Sequence, residues 1–229
     1  MAPPLSIIIP TLNEAQQIGW RLKQLRALRM AGVEVILADG GSTDQTVARA
    51  ASLVDLVVAA PRGRAAQMNA GAACASGTAL LFLHADTRLP RQADCLIAAA
   101  LATRAWGRFD IALTGRHWLL KVIATMMNRR SWLTGIATGD QAIFVRRSVF
   151  DALGGFAPIA LMEDIELSVR LRRISRPACL SQKVISSGRR WKKYGVCRTI
   201  WLMWRLRLAY FFGADPQALA LAYGNQPAP

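Results

Sequence analysis

The chain has 229 residues, 53% of them hydrophobic, with 29 Lys and Arg against 14 Asp and Glu and a formal net charge of +15. That length suits one large domain or two small ones, with ample apolar material for a core, and no run reaches the ~18 uninterrupted apolar residues of a membrane-spanning helix. No basic stretch followed by a long apolar one opens the chain, so no signal peptide is expected. Cys74, Cys95, Cys179 and Cys197 are widely spaced with no Cys-x-x-Cys pair, which argues against a zinc site or disulfide framework and for a reduced, cytoplasmic setting.

Residues 5–9 (LSIII) are a β-branched run ended by Pro10 and read as a buried strand. Asn13 is placed to cap a helix carrying Ile18, Leu22, Leu25 and Leu28 at helical spacing, and Gly32 ends it. Residues 33–38 read as a second strand, GGSTD (40–44) as a turn into a helix over 44–52, and 54–59 as a third strand. A loop, Pro61-Arg62-Gly63-Arg64, leads to a small-residue helix over 65–76, a strand over 79–84 and a helix over 91–103. This alternation predicts an α/β fold with a mostly parallel sheet flanked by helices. Beyond it, 106–113 reads as an edge strand, 117–128 as an apolar helix, 141–146 as a strand and 147–153 as a short helix closed by Gly154-Gly155. The spacing then predicts a helix over 163–174, a last strand over 178–185, a Trp- and Arg-rich helix over 196–212, and a disordered tail after Asn225.

Acids are scarce, so their positions inform. Asp39 closes the apolar run 33–38, Asp86 follows Leu80-Leu81-Phe82-Leu83-His84-Ala85, and Asp164 follows Leu161-Met162-Glu163. In open α/β sheets ligands bind beyond the carboxyl ends of the strands, where Asp39 and Asp86 are expected. Asp39 could accept from a base or ribose hydroxyls; equally, Ser42, Thr43 and Asp44 could serve ordinary strand-to-helix turn chemistry. Arg62 and Arg64 flank a glycine before a helix start, which suits a pyrophosphate or a solvated loop. Asp86 could ligate Mg²⁺ or Mn²⁺ together with substrate phosphates, and His84 could ligate metal, contact phosphate or cap the strand. Glu163 and Asp164 point about 100° apart on a helix, so one could be a general base while the other anchors a loop or both merely cap. Between Leu167 and Ala214 stand twelve Lys or Arg and no acid, a solvated basic face or a site for phosphates, a polyanion or an anionic membrane surface. There Trp191, Trp201 and Trp204 interleave with Arg198, Arg205 and Arg207, as in a membrane-surface helix, or in one packed across the sheet or against a second copy.

Taken in order, IIIPTLNE, DGGSTDQT, the acid after LLFLHA and the Asp of MEDIELSVR resemble family 2 glycosyltransferases of the GT-A fold, over residues 5 to about 195. GRAAQMNAGA, LLFLHADTRLP, GDQAIFVRR, LGGF and LMEDIELS resemble a bacterial subgroup labelled radical-SAM/selenodomain-associated or arsenosugar-biosynthesis glycosyltransferases, also grouped with carotenoid glycosyltransferases. The resemblance implies a transferase domain over 1–195 and a helical basic segment and tail over 196–229. It implies an inverting, non-processive transfer of a sugar from a UDP- or GDP-linked donor to an acceptor hydroxyl, a small molecule or lipid, assisted by Mg²⁺ or Mn²⁺. Pro10, Thr11, Glu14, Asp39, Arg64 and Asp86 are then expected at the donor, and Gly139, Asp140, Glu163, Arg190 and Trp191 at the acceptor. Asp164 is the expected base and Asp86 the expected metal ligand. His84 stands where the metal motif's first acid would be and is a candidate second ligand. Ser187 precedes Gly188-Arg189-Arg190-Trp191 where processive members carry Gln. The rivals are a nucleotidyltransferase, which would need a basic glycine-rich loop where this chain has PTLNE, and a non-catalytic polyanion binder. The aromatics form no RNA-binding pattern, so nucleic acid is not an expected partner.

Overall fold

The computed structural model describes residues 4–224, without the side chains of Arg190 and Lys193. The tail expected to be disordered and the acceptor role expected of the Arg190 side chain therefore lie outside the described parts. The elements in chain order are β1 (Leu5–Thr11), α1 (Ile18–Lys23), α2 (Arg26–Met30), β2 (Glu34–Asp39), α3 (Thr46–Ala50), β3 (Leu56–Ala59), α4 (Arg64–Cys74), β4 (Ala79–Phe82) and α5 (Ala93–Thr103). There follow β5 (Trp106–Leu113), α6 (Leu119–Thr134), β6 (Phe144–Arg146), α7 (Arg147–Ala152), α8 (Glu163–Ile174), β7 (Ala178–Ser186), α9 (Arg189–Tyr194), α10 (Val196–Phe211) and α11 (Pro216–Tyr223). One sheet runs β3-β2-β1-β4-β6-β5-β7. Its pairs are parallel except those of β6, which is antiparallel to β4 and β5.

Strand alternation divides the core. Ile7, Ile9, Val35, Leu37 and Leu81 face one side with Ile18, Leu22 and Ile97 of the helices. Ile8, Ile36, Leu80 and Phe82 face the other with Met68 of α4 and Leu167 of α8. Gly71 lets α4 lie close on β1: a Cβ there would sit 2.5 Å from Ile8 Cγ2. A third cluster joins Leu161 and Met162, ahead of α8, to Leu206 of α10 and Leu219 and Ala220 of α11.

Several expectations are corrected. β1 continues through Pro10 to Thr11, because Pro10 faces the side where pairing with β4 has ended: Ile8 O is the last β1 carbonyl to receive a β4-side amide, that of Leu83. Asn13 does not cap a helix. It takes a left-handed conformation (φ 54°) and stitches two loops, its N–H donating to Ser42 Oγ and its Oδ1 accepting from Thr43 N. β5 is interior rather than an edge, since β7 pairs along it, and its Arg108 is buried against Asp110, Ser131 and the Asn128 carbonyl. α6 runs on to Thr134, and α11 was not foreseen, although Asp215 accepts from Gln217 N and Ala218 N with Pro216 in the first turn, a capping signal written in the sequence.

Candidate active site

The carboxyl ends of β1 and β4, the start of α4, the approach to α8 and the helices α6, α10 and α11 enclose a cavity of about 1720 Å³. Pro10, Thr11, Glu14, Arg64, His84, Asp86, Asp140, Glu163, Asp164 and Trp191 all line it. These ten come from six separate stretches of the chain, so the sequence motifs converge on one place.

Asp39 ends β2 behind this wall. Its carboxylate accepts from Gly41 N at 3.0 Å, Ser42 N at 2.8 Å and Ser42 Oγ, so it folds the GGSTD turn, and Asp39 itself does not line the cavity. Asp44 accepts from Ala15 N and Thr46 N, tying the loop after β1 to α3. Gln67 of α4, which the motifs contained without singling out, is 4% exposed. Its Nε2 donates to Thr11 O at 2.6 Å and Ala38 O at 2.8 Å, clamping the ends of β1 and β2. Gly40 leaves the room: a Cβ there would lie 2.9 Å from the Gln67 amide carbon.

Arg64 Nε approaches Glu163 Oε1 at 3.7 Å. Burial pulls the Arg64 guanidinium down, but Glu163 and the neighbouring acids outweigh it and hold it above its ordinary value. Burial pushes Glu163 above the usual carboxylate range, with Arg64 offsetting only part of this. Asp164, the next residue, has a different setting. Its Oδ2 accepts from Gly139 N at 2.7 Å and its Oδ1 from Ile165 N at 2.7 Å, and no cation lies within 4 Å of it among the described residues. The turn into α8 is held in place by Met162, buried by α10 and α11 and in a left-handed conformation (φ 71°) that a long side chain rarely adopts. Gly139 thus acts through its N–H on Asp164, while Asp140 binds His84 Nδ1 at 3.2 Å. Burial opposes the charge on both partners of that pair, yet their mutual contact wins, raising His84 and lowering Asp140.

A metal ion is tested by these contacts. His84 has Nδ1 on Asp140 and Nε2 packed on Gly139, where an added Cβ would come within 2.5 Å. It is raised toward the protonated form, so it fits a metal poorly. Among the described residues no three His, Cys, Asp or Glu side chains stand together to hold an ion. Asp86 is a quarter exposed and among the described residues its only ion pair is a loose one, to Arg189 Nη2 at 3.7 Å, which also reaches Glu14 at 3.4 Å. A single carboxylate of this kind fits Mg²⁺ or Mn²⁺ held largely by substrate phosphates. Arg130 of α6 and Arg207 of α10 also line the cavity and carry no motif; a run of basic residues marked only Arg207. Among the described residues, no helix is long and apolar enough to cross a membrane.

The model of the family described as "Glycosyl transferase family 2" matches residues 6–154. A "PGL/p-HBAD biosynthesis glycosyltransferase" of Mycobacterium bovis (strain BCG / Pasteur 1173P2) is 31% identical over 196 residues, covering 79% of this chain and 73% of its own. Among solved structures, the mannosyltransferase PcManGT from Pyrobaculum calidifontis, in complex with GDP-Man and Mn²⁺, superposes with a TM-score of 0.65 at 20% identity, covering 100% of this chain and 66% of its own. TarS 1-349 of S. aureus in complex with UDP gives 0.64 at 19% identity, covering 80% of this chain and 60% of its own. The chain thus spans about three fifths to two thirds of the length of these two solved chains. At those identities the structures establish the GT-A fold, while the matched model and the mycobacterial relative establish kinship: the chain belongs to glycosyl transferase family 2.

Proposed function

We propose that the chain transfers a sugar from a nucleoside-diphosphate donor, UDP- or GDP-linked, to an acceptor hydroxyl with inversion, and that it does so without processive elongation. The observation that carries this reading is Asp164, a cavity carboxylate held by two backbone N–H groups and, among the described residues, by no cation, in the cavity beyond the carboxyl ends of β1 and β4. Pro10, Thr11 and Glu14 of the cavity wall would hold the nucleoside, with Asp39 behind them shaping the neighbouring turn. Arg64 faces the diphosphate and can share its charge between Glu163 and a phosphate. When bound, Mg²⁺ or Mn²⁺ at Asp86 supplies charge neutralisation for the leaving diphosphate. Asp164 then takes the proton from the attacking hydroxyl on the face opposite the leaving group, as inversion by a single displacement with an oxocarbenium-like transition state requires. Glu163, turned into Arg64, is the anchor of the pair and Asp164 the base. Ser187, where processive relatives by resemblance carry Gln, supports a single transfer.

The acceptor side comprises Gly139 through Asp164, Asp140, Glu163 and Trp191, closed by α10 and α11. A lipid acceptor at an anionic membrane face of the cytoplasm is supported by the surface of α10. Trp201, Trp204, Leu208 and Phe211 are exposed there and line the cavity mouth, and Arg205 lies 4.9 Å above the Trp201 ring. A thermal-shift screen of nucleotide sugars with and without Mn²⁺, followed by nucleoside-diphosphate release, tests the proposal: no stabilisation by any UDP- or GDP-sugar would overturn it. Flotation with anionic liposomes at low salt tests the membrane face, and absence of binding removes it.

A further inference from the structure

Arg130 and Arg207 come from helices far apart in sequence, α6 and α10, and both line the cavity. Arg130 Nε and Nη2 and Arg207 Nε are shut off from solvent and make no hydrogen bond. Neither guanidinium forms an ion pair within 4 Å or a side-chain hydrogen bond with a described residue, whereas seven other cationic side chains among the described residues do form ion pairs. Buried polar groups are ordinarily satisfied, and buried cations ordinarily paired. Two adjacent guanidiniums with empty donors are therefore a site formed for something the free chain lacks. The geometry points to an anion-binding subsite, formed by Arg130 and Arg207 beside Asp164, that holds a phosphate or carboxylate group of the acceptor.

Charge relations agree with that location. Burial, then the positive charge of Arg207, pull Arg130 down to about 10, and the charge of Asp164 opposes them. An incoming anion would relieve both unfavourable effects. On the proposed reading the donor diphosphate has its own cation in Arg64, at the start of α4 and 3.7 Å from Glu163. Arg130 stands on α6 and Arg207 on α10, the helices that also supply the apolar mouth through Met126, Trp204 and Leu208. A charged group held at the pair would place a nearby hydroxyl of the same molecule at Asp164, with any apolar remainder directed along the mouth. The fork geometry of arginine favours an oxyanion with two oxygens to share.

This inference rests on Asp164 as the base, and the experiment separates the two. Protein saturated with UDP or GDP and Mn²⁺ is titrated with glycerol 3-phosphate, with glycerol as the neutral control, and sedimented with phosphatidylglycerol or purely phosphatidylcholine vesicles. Wild type is compared with Arg130→Met, Arg207→Met and the double variant. Glycerol 3-phosphate binding that each variant weakens by about tenfold or more, with nucleotide affinity unchanged, supports a soluble anionic acceptor. Phosphatidylglycerol binding lost in the double variant, without glycerol 3-phosphate binding, supports an anionic lipid head group. Anion binding unaffected by the variants, no anion binding by wild type, or an equal loss of nucleotide affinity, which would assign the pair to the donor, overturns the inference. If the pair is empty in the free chain, Arg130→Met leaves thermal stability unchanged or raises it, because it removes a buried unpaired charge. A marked loss of stability would show a structural partner and overturn the inference as well. Anion binding at the pair with no response to any nucleotide sugar would instead sink the glycosyl-transfer reading and leave the subsite standing.

Discussion

Gln67 offers the sharpest quantitative test of how the donor end of the sheet is built. Its buried amide donates to Thr11 O and Ala38 O, the closing residues of neighbouring strands. Gln67→Met keeps the length of the side chain and removes both bonds. A net hydrogen bond contributes about 0.5–1.5 kcal/mol, so two contribute about 1–3. Both carbonyls keep another donor, since Gly40 N reaches Thr11 O at 3.0 Å and Thr11 Oγ1 reaches Ala38 O at 3.5 Å. The loss therefore falls in the lower half, about 1–2 kcal/mol, which for a chain of this size lowers Tm by about 2–8 °C. Gln67→Glu sets carboxylate oxygens against two carbonyls in a dry pocket. Such a group resists ionisation, so its folded-state pKa rises. By linkage its stability relative to wild type is greatest below the ordinary carboxylate pKa and falls as pH rises, so its deficit at about pH 8 exceeds that at about pH 5. Thermal melts by circular dichroism at the two pH values decide the matter. A Gln67→Met melt within about 1 °C of wild type, or a Gln67→Glu deficit independent of pH, would refute the clamp.

Asp164→Asn keeps an oxygen to accept from Gly139 N, so nucleotide affinity is expected to persist while nucleoside-diphosphate release falls ~10²–10⁴-fold; near-normal turnover would reject Asp164 as base. Arg189→Ala frees Asp86 from an exposed ion pair worth ~0–1 kcal/mol, so the Mn²⁺ affinity of the UDP- or GDP-bound protein, followed by calorimetry, is expected to tighten by up to about fivefold. Weaker Mn²⁺ binding would show instead that Arg189 assists the site. Burial pushes the Cys179 thiol up, whereas Cys74, Cys95 and Cys197 are exposed. Alkylation by iodoacetamide near neutral pH, mapped by mass spectrometry, is expected to reach those three first and Cys179 last, because the thiolate is the nucleophile; early labelling of Cys179 contradicts its burial.

What could be read from sequence was whatever local chemistry determines. The apolar runs of β2 and β4 place Asp39 and Asp86 at or just beyond strand ends, and the acids opening α8 declare its N-terminus. Long-range pairing left other features hidden. Asn13 looks like a cap because its partner, the turn at Ser42 and Thr43, comes about thirty residues later. β5 looks like an edge because Arg108 and Asp110 interrupt its apolar face, and the strand that covers them, β7, follows after three helices. α6 seems to end at Asn128, yet Asn128 braces the Ile111 backbone through both ends of its amide, and the helix continues to deliver Arg130 to the cavity.

The division between legible and hidden follows the chemistry of the two substrates. On the proposed reading a nucleoside diphosphate would be met by strand ends, turns and one helix start, whose glycines and acids must stand at fixed short spacings. The family model accordingly matches residues 6–154 and stops before α8. The far wall of the cavity, from Leu161 to α11, is set by packing among Met162, Leu206 and Leu219, which any apolar residues of similar volume could supply. On the proposed reading the acceptor side, which α6 also helps to build, draws its chemistry from isolated side chains, Arg130, Arg207 and the Trp residues of α10, that no spacing rule singles out. The donor half can therefore be recognised from motifs, while the acceptor half has to be read from which buried charges still lack a partner.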